Sequence, residues 1–512
     1  MLTIATMLER RAARQGAHVA LIDEATGAEW TIADLERSSA AVAAALITGG
    51  VGPGDRVGLL SANHPSMVVT YLAVARAGAV LVPLNWRLTA AELEVIGADA
   101  GLSAIVAAGA FAATAEAVAD AVGVATDRRW SIDDAADGFV DLEALIAAEA
   151  AAPAVALPAP APDDLLYLMY TSGTTGAPKG AMHTHATTMA AASGAVEAMD
   201  YRPGDRYLNV MPLFHVASLA MVNICLYRRC TMVLGRDFDP ARAWRTIAEH
   251  RVDAMMAVPA MLAAMSATVD PSLDTSCLRV LSSGAAPVPL PLLETYHERG
   301  IDIVQAYGLT ETGGAVSVLD ADDAATHLGS AGKALLSLEL RIEDREGNEL
   351  PAGQEGEIVV RGPSVTTGYW NLPEATAELL ADGWFHTGDV GVVDEEGFLT
   401  IRDRIKDMVI SGGENVYPAE VESVLLAHPA VADVAVIGQP SQRWGESPCA
   451  VVVTAPDGDG LDPAELIAWA GERLARYKLP RSVELVGALP RNASGKVLKH
   501  ELRDLFPGPA PE

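Results

Sequence analysis

The chain has 512 residues, half of them apolar and 20% charged, which excludes a disordered polypeptide and gives room for a large core in about three units. Its 67 acidic against 36 basic side chains give a formal net charge of −31, a surface that repels nucleic acid and anionic lipid. The four cysteines, Cys225, Cys230, Cys277 and Cys449, form no Cys-x-x-Cys pair and are expected as buried thiols in a reducing cytoplasm.

Taken in order, residues 1–150 alternate helix and strand signals. Thr31 with Asp34 reads as a capping box opening an alanine-rich helix. Arg56–Leu60 and Ala79–Pro83 read as strands, and Ser66–Ala77 reads as a helix ended by Gly78. This rhythm predicts an α/β sheet with crossover helices. The best membrane-span candidate, Met67–Leu84, is interrupted by Arg76, so no transmembrane segment is expected. Glu9 precedes the first arginines and no small-residue cleavage site follows, so no signal peptide is expected. Residues 150–162 form a Pro/Ala connector.

An apolar run, Leu165–Met169, then leads as a buried strand into Tyr170-Thr-Ser-Gly-Thr-Thr-Gly-Ala-Pro-Lys-Gly180. Glycines admit backbone N–H groups to a polyphosphate, hydroxyls add donors, and Lys179 adds charge. The stretch is not a P-loop, because Lys179 is followed by Gly180 and not by Ser or Thr. Met211-Pro-Leu-Phe-His215 carries one histidine on an apolar stretch, which by itself fits a satisfied core residue. Ser282-Ser-Gly-Ala-Ala-Pro287 follows a strand at Leu278–Leu281 and fits either a tight turn or a surface for a flat ring. Gln305-Ala-Tyr-Gly-Leu-Thr-Glu-Thr312 follows a strand at Ile301–Val304, and strand ends of open α/β sheets are where ligands bind. There Tyr307 can stack on a base, Thr310 can donate to a phosphate and Glu311 can hold Mg²⁺.

Residues 327–403 are glycine-rich with short strands and predict a small β unit. Within it, Trp384-Phe-His-Thr-Gly-Asp389 fits a ribose-binding carboxylate or an Asx-turn. From Ile405 onward a compact α+β domain is expected, after the charged cluster Asp403-Arg-Ile-Lys-Asp407 and the glycine loop Ser411-Gly-Gly413. Lys496 follows Ser494-Gly495 on an exposed-looking loop.

Together these segments resemble the adenylate-forming superfamily of acyl-CoA synthetases, adenylation domains and beetle luciferases. The phosphate loop is Thr171–Gly180, Y-G-x-T-E is Tyr307–Glu311, T-G-D is Thr387–Asp389, the R-x-K-D hinge is Arg404–Asp407, and the terminal lysine loop is Pro490–Lys496. They run in the family's order over essentially the whole chain, with one departure: Asp403 stands where a glycine often precedes the hinge arginine. The resemblance implies an α/β protein with a large N-terminal domain, 1–404, of α/β sheets plus a small β unit. A small mobile α+β C-terminal domain, 405–512, would follow it.

The resemblance also implies roles. ATP, Mg²⁺ and coenzyme A would be bound, and a small-molecule carboxylic acid would become an acyl-adenylate and then a thioester. Thr171, Ser172, Gly173, Thr174, Thr175 and Lys179 would hold the β- and γ-phosphates. Thr310 would contact the α-phosphate and Glu311 would ligate Mg²⁺. Gly284, Ala285 and Ala286, with Gln305, Ala306, Tyr307 and Gly308, would hold adenine, and Asp389 and Arg404 the ribose. Lys496 would bridge the acid and the α-phosphate, with His215 beside the acid. Lys406 would be the hinge, and Ser411, Gly412, Gly413 and Trp444 would face CoA. Arg87 and Lys478 are further candidates for CoA phosphates.

The pattern looks most like bacterial fatty-acyl-CoA and aryl-CoA ligases. Small residues (Ala217, Ala285, Ala306, Gly308, Gly313, Gly314) suggest a roomy pocket, hence a medium- or long-chain fatty acid, with a cinnamate- or benzoate-type acid as the rival. An enzyme loading a carrier protein is the other alternative; no Asp-Ser-Leu attachment signature follows Lys499, so CoA is the expected thiol. A cytoplasmic enzyme is expected, with a homo-oligomer left open.

Overall fold

The computed structural model describes residues 2–142, 144, 155–171, 178–286, 288–324, 326–411, 414–441, 443–456, 460–491 and 496–508. Ser172, Gly173, Thr174, Thr175, Gly412 and Gly413 lie outside the described residues. The chain is mixed α/β and packs as two units: Met1–Leu340 with Val360–His386, and Arg341–Val359 with Thr387–Glu512. No helix among the described residues is long and apolar enough to cross a membrane.

Two sheets build the larger unit. In one, the strands Arg56–Leu60, Val80–Leu84, Leu102–Ala108, Arg129–Ile132 and Val140–Asp141 are parallel neighbours, extended by Leu165–Thr171 and an antiparallel edge, Lys179–Thr184. The predicted capping box is present: Thr31 Oγ1 accepts from Asp34 N at 3.1 Å, and Asp34 Oδ2 accepts from Thr31 N at 2.9 Å. A second box, Thr184 with Thr187, starts the helix His185–Ala198 directly after the edge strand.

The other sheet has nine strands. Arg206–Asn209, Ala254–Met256, Val280–Ser283 and Ile303–Leu309 lie side by side and parallel. Gly314–Leu319 then returns antiparallel to Ile303–Leu309. Val280–Ser283 leads straight into Gly284, Ile303–Leu309 straight into Thr310, and the segment reaching His215 leaves Arg206–Asn209 at its carboxyl end. These ends are where an open α/β sheet presents ligands.

The structure moves strand boundaries: the strand expected at Leu278–Leu281 runs from Val280 to Ser283. The strand expected at Ile301–Val304 runs from Ile303 to Leu309, so Gln305–Leu309 lie inside it and not in a following loop. The cause is the return strand. Gly308 sits so close to it that a Cβ would stand 2.0 Å from the Gly314 carbonyl oxygen, and no other residue allows that pairing.

The smaller unit is built on a five-stranded sheet in which Val431–Ser441 pairs antiparallel with Gly445–Thr454. Alternation divides its faces. Val434, Val436, Ala450 and Val452 pack with Val421, Leu425 and Leu466 of the helices Pro418–Leu426 and Pro463–Gly471. Ala435, Ile437, Cys449 and Val451 pack with Leu489 and Leu502. Leu502 belongs to the helix Lys499–Leu505. The strand Phe385–Val393 contains Thr387-Gly-Asp389, so this motif also lies within a strand, and Asp389 is paired in register with Arg404 of the neighbouring strand Leu399–Arg404.

Candidate active site

In the larger unit, Thr171 stands opposite Lys179 in the antiparallel pair that flanks the candidate phosphate loop. Gly180 packs beneath the Tyr170 ring, where a Cβ would stand 3.0 Å away. The Tyr170 hydroxyl donates to Asp99 Oδ2 at 2.6 Å, which anchors the strand at the loop's foot. The segment 366–370 lies along Lys179–Thr184: Met182 N donates to Gly368 O at 2.9 Å, and Trp370 N to Gly180 O at 2.8 Å.

That segment delivers Tyr369, a residue with no motif signal. Its hydroxyl donates to Glu311 Oε1 at 2.6 Å, and Lys179 Nζ lies 5.1 Å from its ring centroid. Glu311 is 9% exposed, and Thr366 N donates to its carbonyl at 2.6 Å. Thr310–Thr312 form a single 3-10 turn. His183 fastens that turn, donating from Nε2 to Thr310 O at 2.8 Å while its ring stacks on Tyr167 at 5.0 Å. Burial lowers His183 to about 4, so the imidazole is neutral and acts as a fixed donor.

Tyr307 is buried in its strand. The predicted ring-binding loop lies beside it: Ser283 pairs with Gln305, and a Cβ on Gly284 would stand 2.7 Å from Ala306 O. Ala285 holds φ +69, a left-handed conformation that is strained for alanine. Gln305 directs its amide to Ser330 O at 3.2 Å, a structural use not visible in the sequence.

His215 caps the helix Val216–Arg228 by position, without a side-chain cap bond. Its ring lies 4.4 Å from that of Phe214. Phe214 meets Trp86 edge-on at 6.4 Å, and Trp86 meets Phe111 at 5.8 Å. The Arg87 guanidinium covers the Trp86 and Phe214 rings at 4.9 and 5.9 Å. Burial, and secondarily the Arg87 charge, lower His215 to about 4.

In the smaller unit, Asp389 is 4% exposed and its Oδ1 is 2.6 Å from Arg404 Nε. Thr387 Oγ1 accepts from Asp389 N at 3.1 Å, and Gly388, at φ +70, donates to Glu357 at 3.0 Å. Lys496 is lowered by burial first and then by the Arg404 charge, against the pull of Asp407 and Asp389. Lys406 is brought down to about 8, again by burial first. These lysines and Arg404 form a cationic cluster in a chain of strongly negative net charge, suited to phosphate.

Asp403, the departure from the family's glycine, has a use: its Oδ2 accepts from Ala419 N at 2.8 Å, in the first turn of the helix Pro418–Leu426. Ser411 pairs with Gly445, next to Trp444, so two of the predicted CoA-facing residues are neighbours. Trp444 is partly exposed, with Arg443 4.6 Å over its ring. Lys478 instead contacts both Glu420 oxygens at 2.7 Å.

Among the described residues no cluster of three or more metal-ligating side chains occurs. Mg²⁺ commonly takes one or two carboxylates and otherwise phosphate and water, and Glu311, buried and held by Tyr369, is a suitable donor.

Comparison with known proteins identifies the family. The model of the AMP-binding enzyme family matches residues 8–370, and that of the AMP-binding enzyme C-terminal domain matches 420–496. A feruloyl-CoA synthase of Amycolatopsis sp is 43% identical over 498 residues, 97% of this chain and 98% of its own. The long-chain-fatty-acid–CoA ligase FadD13 of Mycobacterium tuberculosis is 39% identical over 513 residues, 100% of both chains. The o-succinylbenzoate CoA synthetase of Bacillus subtilis, solved with its acyl-adenylate intermediate, superposes with TM-score 0.89 at 34% identity over 98% of this chain and 99% of its own. The same enzyme solved with ATP and magnesium gives TM-score 0.86 at 34% identity over 97% and 99%. With both family models in their expected order and relatives aligned end to end, the chain belongs to the AMP-binding enzymes, the adenylate-forming acid–thiol ligases.

Proposed function

We propose that this enzyme converts an apolar carboxylic acid to its CoA thioester in two steps. The carboxylate attacks the α-phosphorus of ATP, giving acyl-adenylate and pyrophosphate. The CoA thiol then displaces AMP and releases a proton. The first step brings two anions together, so fixed positive charge and alignment carry it. Thr171, Ser172, Gly173, Thr174, Thr175 and Lys179 hold the β- and γ-phosphates. Thr310 contacts the α-phosphate, Tyr307 and Gly284–Ala286 hold adenine, and Asp389 and Arg404 hold the ribose. Lys496 meets the carboxylate and the α-phosphate. Glu311 would hold magnesium, which would supply charge neutralisation on the phosphates. The domain 405–512 turns at Lys406 between the steps, presenting Ser411–Gly413 and Trp444 to CoA in the second. The observation that carries this reading is the Lys179–Tyr369–Glu311 arrangement, which links the phosphate-loop lysine to a buried metal-type carboxylate.

For the acid, the argument from small residues weakens. Gly308 and Gly313 have backbone reasons to be small: a Cβ on Gly308 would meet Gly314 O at 2.0 Å, and Gly313 holds φ +70. What remains near His215 is the aromatic group of Trp86, Phe111 and Phe214. It favours an aryl acid of the cinnamate or benzoate type, with a medium- or long-chain fatty acid as the second reading. Arg87, on those rings, is better suited to this end of the site than to a CoA phosphate. The cytoplasm is the proposed compartment.

The test is a panel of acids (cinnamates, benzoates, octanoate, palmitate, acetate) with ATP and CoA, reading AMP and pyrophosphate. ADP as product overturns the reaction class. Preference for acetate overturns the apolar-acid reading, and preference for palmitate over every aryl acid selects the second reading.

A further inference from the structure

The helix Lys499–Leu505 begins three residues after Lys496, and nothing in the proposed reaction uses it. It is fixed at three points, all within the smaller unit. Leu502, 1% exposed, sits in the core beneath the sheet. Lys499 Nζ lies 2.8 Å from Glu422 Oε1, whose carboxylate also accepts from Val436 N at 2.7 Å. Arg503 donates to Asp407 Oδ1 at 2.9 Å. The third point reaches the hinge segment itself, since Asp407 follows Lys406.

The loop before the helix is closed at its base. Leu498 N donates to Pro490 O at 2.9 Å, and Arg491 pairs with Val497 as an isolated antiparallel bridge. Arg491 also reaches Asp433 Oδ2 at 2.6 Å. Lys496 therefore stands between two anchored stems, one of which is the helix. Its charge is felt from Arg404, Asp407, Asp389 and Lys499, and Lys406 in turn feels Lys496 and Arg503. Hinge segment and helix are thus joined by a direct ion pair, and the lysine lies close enough to both for their charges to act on it.

We propose that Arg503 is a positioning residue for Lys496: its ion pair with Asp407 fastens the helix that bears the lysine loop to the moving side of the hinge, so that the orientation of the hinge is delivered to the lysine. The proposal rests on the reading that Lys496 serves adenylation. A partly buried arginine–carboxylate pair is a directional link that a lysine reproduces only in part. The CoA-facing residues Ser411 and Trp444 lie on other strands and loops, so loosening this link affects the first half-reaction more than the second.

The experiment compares Arg503→Ala, Arg503→Lys, Asp407→Asn and the Arg503→Ala/Asp407→Asn pair with the unaltered enzyme. Adenylation is read as pyrophosphate released with cinnamate or octanoate; thioester formation is read from the pre-made acyl-adenylates of the same acids and CoA. Thermal unfolding is followed in parallel. Arg503→Ala should slow adenylation by ~10-fold or more while thioester formation stays within about 2-fold, and Arg503→Lys should recover part of the loss. The paired variant should be no slower than Arg503→Ala alone. Adenylation unchanged in Arg503→Ala overturns the proposal. So do equal losses in both half-reactions, or losses that add in the paired variant. Lys496→Ala is the separate control: adenylation that survives it overturns the role of Lys496 itself, whatever the Arg503 variants do.

Discussion

Tyr369 donates its hydroxyl to Glu311 across 58 positions of sequence, at 2.6 Å, and carries Lys179 over its ring. A neutral donor on a carboxylate orients it without neutralising it, which suits a metal ligand. Tyr369→Phe keeps the ring and removes the bond. Adenylation should fall ~10-fold at low magnesium, as expected for loss of one hydrogen bond to a charged group, and raised magnesium should recover part of it. Adenylation that falls by the same factor at every magnesium concentration would refute the link to the metal.

Lys496 is exposed in the smaller unit, and its pKa is lowered by partial desolvation and by the Arg404 charge, against the pull of Asp407 and Asp389. Lys496→Ala should reduce acid-dependent pyrophosphate release by at least ~10²-fold, from loss of one oriented charge. It should spare CoA transfer from pre-made acyl-adenylate. Equal damage to both half-reactions would count against a lysine used in one of them only.

His215 is held at about 4 by burial and by Arg87, below its ordinary 6.5. It is therefore neutral at every pH above roughly 5.5. The ratio of His215→Asn to unaltered activity should stay constant from about pH 6 to pH 8. A ratio that changes through that window would mean that His215 titrates during turnover. For stability the sign is that of a depressed group. Its contribution is complete above 6.5 and is lost as pH falls towards 4.

Lys406 is lowered from 10.5 to about 8, burial being the main cause. Between these values the unfolded chain keeps a proton that the folded chain releases, so stability rises with pH across that window. Below it, the ammonium, exposed yet partly desolvated and close to Arg404, Lys496 and Arg503, opposes the fold. Lys406→Met should therefore raise the Tm near pH 7 more than near pH 10. An equal gain at both would assign the effect to packing and not to charge.

Much of the site was legible as sequence because its parts are local. A strand followed by glycines and hydroxyls marks Thr171–Lys179, and Y-G-x-T-E marks Tyr307–Glu311. The Thr31–Asp34 capping box needs residues only three apart. Strand limits were less legible. Tyr307-Gly-Leu309 is expected just after a strand and Thr387-Gly-Asp389 fits an Asx-turn, yet both pair within strands. Gly308 is there to let Gly314 approach, a relation that no local pattern expresses.

The sequence by itself determined the class of chemistry, since the type and order of the motif residues survive any uncertainty about their packing. Tertiary structure alone decided what holds those residues. His183 reaches Thr310 across 127 positions, Tyr369 reaches Glu311 across 58, and Arg503 reaches Asp407 across 96. A histidine, a tyrosine and an arginine in isolation look like ordinary core or surface residues. What each can hold depends on a distance of about 3 Å to one acceptor, and only sheet pairing and helix packing set that distance.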